Sequence, residues 1–343
     1  MTNMDAPELN QLSEGQQAEL VCLLAKKQIA QTKAGKPYGS LKLADCSGEV
    51  EAKLWDQAEE LLEDLEPGAA VKVTGRVESF NGRRQIVLRS IEPAPDADPT
   101  QFMPKSPIKP SELWGRLTEL TLAVKNKRLR RLLKIFFENE EFLAEFGKAP
   151  AAKSAHHAYV HGLLEHTVSV GEMALKIAEH YKHLNRDILL SGALLHDIGK
   201  TQEFSLGPPI EYTDAGRLEG HVVLGVRMLD KRLASLRGFP ENLASHLRHL
   251  IISHHGLYEF GSPKKPKTPE ALVLHMLDDL DAKTAMIQEI VAAEGGGEAH
   301  WSSFNRLLER FVYTGPSPLE KQNEPTSGEA NPSSAQTMEL FGK

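Results

Sequence analysis

Cysteine is nearly absent from this 343-residue chain. Two residues, Cys22 and Cys46, exclude a disulfide scaffold and any thiolate zinc site. Long apolar runs are also missing. The longest, around 188–195, is interrupted by Ser191 and Gly192, so no membrane span is expected. The first eight residues carry neither a basic start nor an apolar stretch, so no secretory signal is read there, and a cytoplasmic location is expected. Histidine is absent from both ends: all fourteen lie between His156 and His300. Because histidine supplies metal ligands and proton transfer, the chemistry is expected in that window.

What is present is 41% hydrophobic and 25% charged residues, an ordinary globular balance. The net charge of −7 argues against general nucleic-acid coating, but it is unevenly spread. Residues 105–134 hold nine Lys/Arg against two Glu.

Residues 16–92 read as five short strands, at 19–30, 38–44, 49–54, 70–78 and 85–91, with a helix over 56–65 between the third and fourth. That order predicts an OB-type barrel. The expected organisation is an N-terminal extension (1–15), the barrel (16–92), a Pro-rich linker (93–110), basic connecting helices (111–150), an all-α histidine-bearing bundle (151–313) and a disordered tail (314–343). The fold class is thus β plus α in separate domains. The pattern stays helical from the linker to about residue 313.

Lys127, Arg130, Arg131 and Lys134 recur at i, i+3, i+4, i+7, with Leu129, Leu132, Leu133 and Phe136 opposite. Such a face is either solvated or phosphate-binding. In the barrel, Tyr38, Trp55 and Phe80 are candidate stacking faces. Lys36, Arg83 and Arg84 are among the candidate phosphate contacts. Trp55, beside the acidic helix, is read as core instead.

Five helical segments carry the histidine and carboxylate groups. They hold His166, His196-Asp197 followed by Gly199-Lys200, His221, His254-His255 followed by Gly256, and Asp278-Asp279-Leu280-Asp281. Gly199 is expected to cap its helix. Imidazoles and carboxylates without thiolates suit Mn²⁺, Fe²⁺, Co²⁺, Ni²⁺ or Zn²⁺. A carboxylate can bridge two ions and an imidazole cannot, so Asp197 is the natural bridge of a two-metal centre for phosphoryl chemistry.

His166, His196-Asp197 and Asp278 resemble the H…HD…D signature of the HD-domain phosphohydrolase superfamily, and His221 with His254-His255 resembles the additional ligands of its two-metal branch. The last acid is chosen as Asp278 because the family pattern places it three residues before the Asp-Ala pair, here Asp281-Ala282. The barrel followed by His-Asp-Ile-Gly-Lys, Gly-His-Val-Val-Leu-Gly, Ile-Ser-His-His-Gly, Glu-Phe-Gly-Ser-Pro and Asp-Asp-Leu-Asp-Ala-Lys resembles the YhaM-type 3′→5′ exoribonucleases over about residues 16–313.

The resemblance implies one ion on His166, His196, Asp197 and Asp278 and a second on Asp197, His221, His254 and His255, with manganese expected and iron, cobalt or nickel as alternatives. It implies that Lys200 and Asp197 are catalytic, Lys200 offsetting charge at the scissile phosphate. The plainer role for Lys200 is a cation favourable at a helix C-terminus. His275, Asp279 and Asp281 are read as supporting or surface residues, and His156, His157 and His161 as lining the substrate entrance. The implied reaction is stepwise hydrolysis of single-stranded RNA, and of single-stranded DNA as a second substrate, to nucleoside 5′-monophosphates. The alternative is a phosphohydrolase for a nucleotide or cyclic dinucleotide; a nucleic-acid-binding protein with a silent HD domain is the third class. The resemblance also suggests a homo-oligomer. The Gln336–Phe341 stretch is loosely similar to sliding-clamp-binding motifs, the plainer reading being a tail that docks on its own protein or binds nothing.

Overall fold

The computed structural model describes residues 8–316, apart from 81, 154–156, 206, 208–209 and 298; His156 and the Gln336–Phe341 stretch therefore lie outside the described residues. The chain divides into two compact units, Met1–Met286 and Ile287–Lys343.

In the first unit, strands β1 (Gln17–Gln31), β2 (Pro37–Asp45), β3 (Gly48–Leu54), β4 (Ala70–Phe80) and β5 (Arg83–Pro93) close a barrel in the order β1-β2-β3-β5-β4. A parallel pairing of β3 with β5 completes the ring, and all other neighbours are antiparallel. This is the expected OB-type barrel. Alternate side chains fill it: Leu20, Cys22, Leu24, Leu41, Leu43, Val71, Val73, Val77 and Ile86 are buried. A bulge at Arg89 of β5, opposite Thr74 and Gly75, bends that strand. Glycine is required there because a Cβ at Gly75 would come within 2.5 Å of the Val87 carbonyl oxygen. The helix expected over 56–65 is shorter: α1 spans Ala58–Leu62, starting after Gln57 in left-handed conformation at φ 52°.

The remaining helices are α2 (Pro110–Ala123), α3 (Lys127–Phe137), α4 (Glu140–Lys148), α5 (Gly162–His180), α6 (Arg186–Leu195), α7 (Lys200–Glu203), α8 (Asp214–Leu218), α9 (Gly220–Ala234), α10 (Glu241–Ser253) and α11 (Pro269–Glu294). They bury one apolar core that includes Leu117, Leu132, Phe136, Leu164, Val168, Leu190, Leu194, Leu250 and Leu274. Helix α5 runs through it. Gly171 admits Leu120 and Leu194 to 2.9 and 3.2 Å of where its Cβ would stand.

Two features correct the expectation of continuous helix. A two-stranded ladder, β6 (Phe204–Ser205) with β7 (Glu211–Tyr212), follows α7. Phe204 and Ile210 from this region pack with Leu23 of the barrel, Met103 and Val160. In the second unit the helix ends at Glu294, and isolated bridges Trp301↔Tyr313 and Asn305↔Arg310 replace it, in a stretch where Gly295, Gly296 and Gly297 interrupt the helical pattern. Among the described residues, no helix is long and apolar enough to cross a membrane.

Candidate metal centre

Five helix segments deliver the histidine and carboxylate side chains to one place. His166 lies in the second turn of α5. His196 and Asp197 follow the last turn of α6, whose start is capped by Asn185 accepting from the Ile188 N–H at 3.1 Å. His221 opens α9, His254 and His255 close α10, and Asp278 lies on α11. The turn after His196 explains Gly199 differently from the expected cap. Its φ is −65°, an ordinary helical value. What demands glycine is the crossing of α9: a Cβ would stand 2.0 Å from the His221 carbonyl oxygen and 2.6 Å from the Gly225 nitrogen.

The side chains form two groups that meet at Asp197. His166, His196, Asp197 and Asp278 make one; His221, His254 and His255 make the other. In the first, His166 Nε2 is 3.2 Å from His196 Nε2, 3.5 Å from Asp197 Oδ2 and 3.1 Å from Asp278 Oδ1. On the other side, Asp197 Oδ1 is 3.5 Å from His254 Nε2 and 3.7 Å from His221 Nε2, and His221 Nε2 is 3.2 Å from His255 Nε2. Donors held about 2.0–2.2 Å from an ion at tetrahedral to octahedral angles stand roughly 3.0–3.5 Å apart. The donor set fits divalent cations on that measure.

A second observation supports the fit. Both carboxylate oxygens of Asp197 and the Nε2 of His254 are buried without a hydrogen-bond partner. A buried polar atom left so is costly unless something else meets it. Of these atoms, Asp197 Oδ2 is met by the Lys200 ammonium, an ion pair at 2.6 Å.

Every ring is oriented through its other nitrogen. Nδ1 of His196 donates to the Ala193 carbonyl (2.8 Å), that of His254 to Ile251 (2.7 Å) and that of His255 to Phe260 (2.8 Å). His221 Nδ1 donates to Glu203 Oε1 at 3.0 Å, and His166 Nδ1 to Asp281 Oδ2 at 2.7 Å. With Nδ1 engaged in this way, Nε2 of all five rings is the nitrogen turned toward a cation.

The electrostatics agree. Burial opposes ionisation of Asp197, but Lys200 and His196 outweigh it and hold its carboxyl well below the usual range. Burial likewise opposes ionisation of Asp278, and His166 and His196 outweigh it. Burial would neutralise Lys200, yet Asp197 and Asp278 keep it a cation. His254 is driven well below its ordinary value by burial and by His255, and His255 is lowered by burial and by His221; both rings are held neutral. The centre opens on the side of Lys200, His221 and Asp278, whose side chains are 11–16% exposed, whereas His166, His196, Asp197 and His254 are at most 1% exposed.

Two carboxylates were not singled out as supports of particular rings by sequence reasoning. Glu203 ends the four-residue α7, and nothing in its spacing signals contact with His221. Asp281 accepts from His166, from His157 (3.1 Å) and from the Ser169 hydroxyl. His157 is therefore buried support, not entrance lining, and it also contacts the Tyr159 hydroxyl at 2.7 Å. His161 is turned to the Gly147 carbonyl. His275 Nδ1 donates to the His254 carbonyl at 2.8 Å.

The nucleic-acid candidates fare unevenly. Tyr38 and Trp55 stack, with ring centroids 4.7 Å apart, and Trp55 is 40% exposed, which corrects its reading as core. Lys53 lies 5.9 Å from the Tyr38 ring centroid. Lys36 is exposed and paired with Asp56 at 2.7 Å. The Arg84 guanidinium is spent on the Asn10 and Leu12 carbonyls, and Arg83 lies in β5. On α3, Lys127 and Arg131 are exposed; Arg130 turns back to the Val124 carbonyl (2.7 Å), and Lys134 pairs with Glu138 (3.3 Å). Three of the four aligned cations are thus exposed, one of them paired with Glu138, and Arg130 is drawn back to the backbone.

Two families of known proteins match this chain: the HD domain at residues 163–283 and the OB-fold nucleic acid binding domain at residues 24–94. The 3′-5′ exoribonuclease YhaM of Bacillus subtilis (strain 168) is 37% identical over 287 residues, covering 83% of this chain and 90% of that protein. The 3′-5′ exoribonuclease YhaM of Oceanobacillus iheyensis is 35% identical over 276 residues, covering 80% and 86%. Among solved structures, the second OB-fold domain of replication protein A from Methanococcus maripaludis is similar at a TM-score of 0.23 and 18% identity, covering 27% of this chain and 97% of that one. A likeness of that size carries no argument.

Proposed function

This chain belongs to the YhaM family of 3′-5′ exoribonucleases, and on that premise we propose that it shortens single-stranded RNA from the 3′ end, releasing nucleoside 5′-monophosphates. It is a metal-dependent hydrolase with an OB-fold nucleic-acid-binding barrel. Single-stranded DNA is a second substrate in this reading. The observation that carries it is Asp197, whose two buried oxygens face two separate groups of ring nitrogens.

We assign His166, His196, Asp197 and Asp278 to one divalent ion and Asp197, His221, His254 and His255 to a second. A ligand set of imidazole and carboxylate without thiolate suits manganese, with iron, cobalt and nickel as alternatives. Such ions, when bound, activate water and neutralise charge on a phosphodiester. The protein's own part is to keep the five rings in one tautomer and Asp197 ionised. Lys200, kept cationic on the open side of the centre, is placed to offset the charge that grows on the phosphoryl oxygens. The Tyr38–Trp55 pair, with Lys53 beside it, supplies a face on which bases of the strand stack. With two cysteines and no expected disulfide, the protein is read as cytoplasmic.

The test is a time course with 5′-labelled single-stranded RNA and Mn²⁺, run beside Asp197→Ala. A ladder shortening from the 3′ end, absent in the variant, is expected. Intact RNA with the wild-type protein turns attention to nucleotides and cyclic dinucleotides; degradation that survives in the variant means the metal centre is elsewhere.

A further inference from the structure

Immediately beyond His255 the chain makes a short loop, residues 256–267, that holds two aromatic rings in solvent. Tyr258 is 57% exposed and Phe260 is 60% exposed. Bare rings on a slack loop would mean little, but this loop is tied at both ends and through its middle. The Phe260 carbonyl accepts from His255 Nδ1 at 2.8 Å. Phe260 N–H donates to the Leu257 carbonyl (3.2 Å) and Gly261 N–H to the Tyr258 carbonyl (3.0 Å), Gly261 taking the positive φ of 81° that the turn needs. Ser262 is buried and its hydroxyl contacts the Ile252 and Lys264 carbonyls at 3.1 and 2.7 Å. Lys267 N–H donates to His249 Nε2 at 2.8 Å. The backbone that presents the two rings is therefore rigid, and one imidazole separates it from the metal-facing nitrogen of His255.

The loop also carries charge of one sign. Lys264, Lys265 and Lys267 are exposed, against one acid, Glu259. No ion pair engages these three lysines among the described residues, and the Lys265 ammonium lies 5.3 Å from the Tyr258 ring centroid. Aromatic faces interleaved with unpaired cations are what a nucleotide strand requires: π-surface for bases and positive charge for phosphates. Three residues of chain from His255 to Tyr258 span at most about 11 Å. That puts the loop within reach of the nucleotide being cut and its neighbour.

We propose that Tyr258 and Phe260 form the seat on which the 3′-terminal base of the RNA stacks, with Lys264 and Lys265 holding the adjoining backbone. This rests on the exoribonuclease reading above and extends it: the terminal base is gripped by its face, so the seat accepts any base and refuses a terminus that has none.

The experiment compares two RNAs that differ only in the last nucleotide, one natural and one abasic, and measures kcat/KM for its release. The manganese-loaded wild-type enzyme is expected to favour the natural end by about tenfold. The double variant Tyr258→Leu with Phe260→Leu keeps apolar bulk and loses the π-faces, and it is expected to lose most of that preference. Tyr258→Phe is expected to retain it. Because each preference is a ratio within one protein, a general loss of metal or folded enzyme cancels. A wild-type enzyme indifferent to the missing base, or a leucine variant that discriminates as the wild type does, overturns the seat while leaving the exoribonuclease reading intact. A wild-type enzyme that degrades neither RNA overturns both.

Discussion

Glu203 grips His221 twice: one carboxylate oxygen, Oε1, accepts from the backbone N–H of His221 at 3.1 Å and from its ring Nδ1 at 3.0 Å. The double contact fixes both where α9 begins and which ring nitrogen faces Asp197. Replacement by alanine removes both anchors. Glu203→Ala is expected to weaken metal binding at the His221 group by 10–100-fold, read as manganese per chain after dialysis against graded free metal. Glu203→Gln retains an acceptor oxygen and should recover most of the affinity.

Asp281 stands behind His166 as Glu203 stands behind His221, and it also receives His157 and Ser169. Burial opposes its ionisation, but His157 and His166 outweigh it and push its carboxyl below the ordinary range. Asp281→Ala removes the carboxylate that these three partly or fully buried side chains share. It should cost about 3 kcal/mol in urea unfolding of the metal-free protein. The sign of the pH dependence follows from the depressed carboxyl: its contribution is present above the unfolded-state value and lost as pH falls through the lower, folded one.

In the ion-free centre burial works against protonated His166 and His196, but the neighbouring carboxylates prevail, raising His166 and carrying His196 to about 10. A cation must therefore displace protons that these rings hold at neutral pH. Metal binding is expected to release protons and to weaken as pH is lowered. Calorimetric titration in buffers of different ionisation enthalpy measures the proton count; no buffer dependence would contradict the assignment.

Gly199→Ala places a methyl group against the His221 carbonyl and the Gly225 nitrogen, both backbone atoms that cannot rotate away. The variant is expected to lose about 2–3 kcal/mol of stability and, because α9 must shift, metal affinity with it. Thermal unfolding with and without manganese separates the two losses.

The Tyr38–Trp55 stack lies on the barrel, and its effect should grow with substrate length. Trp55→Ala is expected to raise KM about tenfold for a long RNA, with little change for a dinucleotide. Equal KM values for wild type and variant on the long RNA would remove the barrel face from the binding path.

Much of the molecule is legible along the chain. The five barrel strands follow from alternating apolar residues, because a strand's side chains point to opposite faces and only one face can be buried. Candidate ligands could be picked out because a cation demands particular side chains, and His196-Asp197 and His254-His255 sit together at helix ends. Those properties belong to residue type and spacing, which the sequence determined by itself. Tertiary structure decided the rest, because it turns on which atom arrives next door. Arg84 and Arg130 read as free cations until backbone carbonyls of Asn10, Leu12 and Val124 reach them. Gly199 reads as a helix cap until α9 crosses it. Glu203 has no signature at all, since its partner is eighteen residues away and meets it only after a hairpin and a short helix have turned the chain back. Spacing encodes which side a residue faces; the neighbour it meets there is set by the packing of segments far apart in the chain.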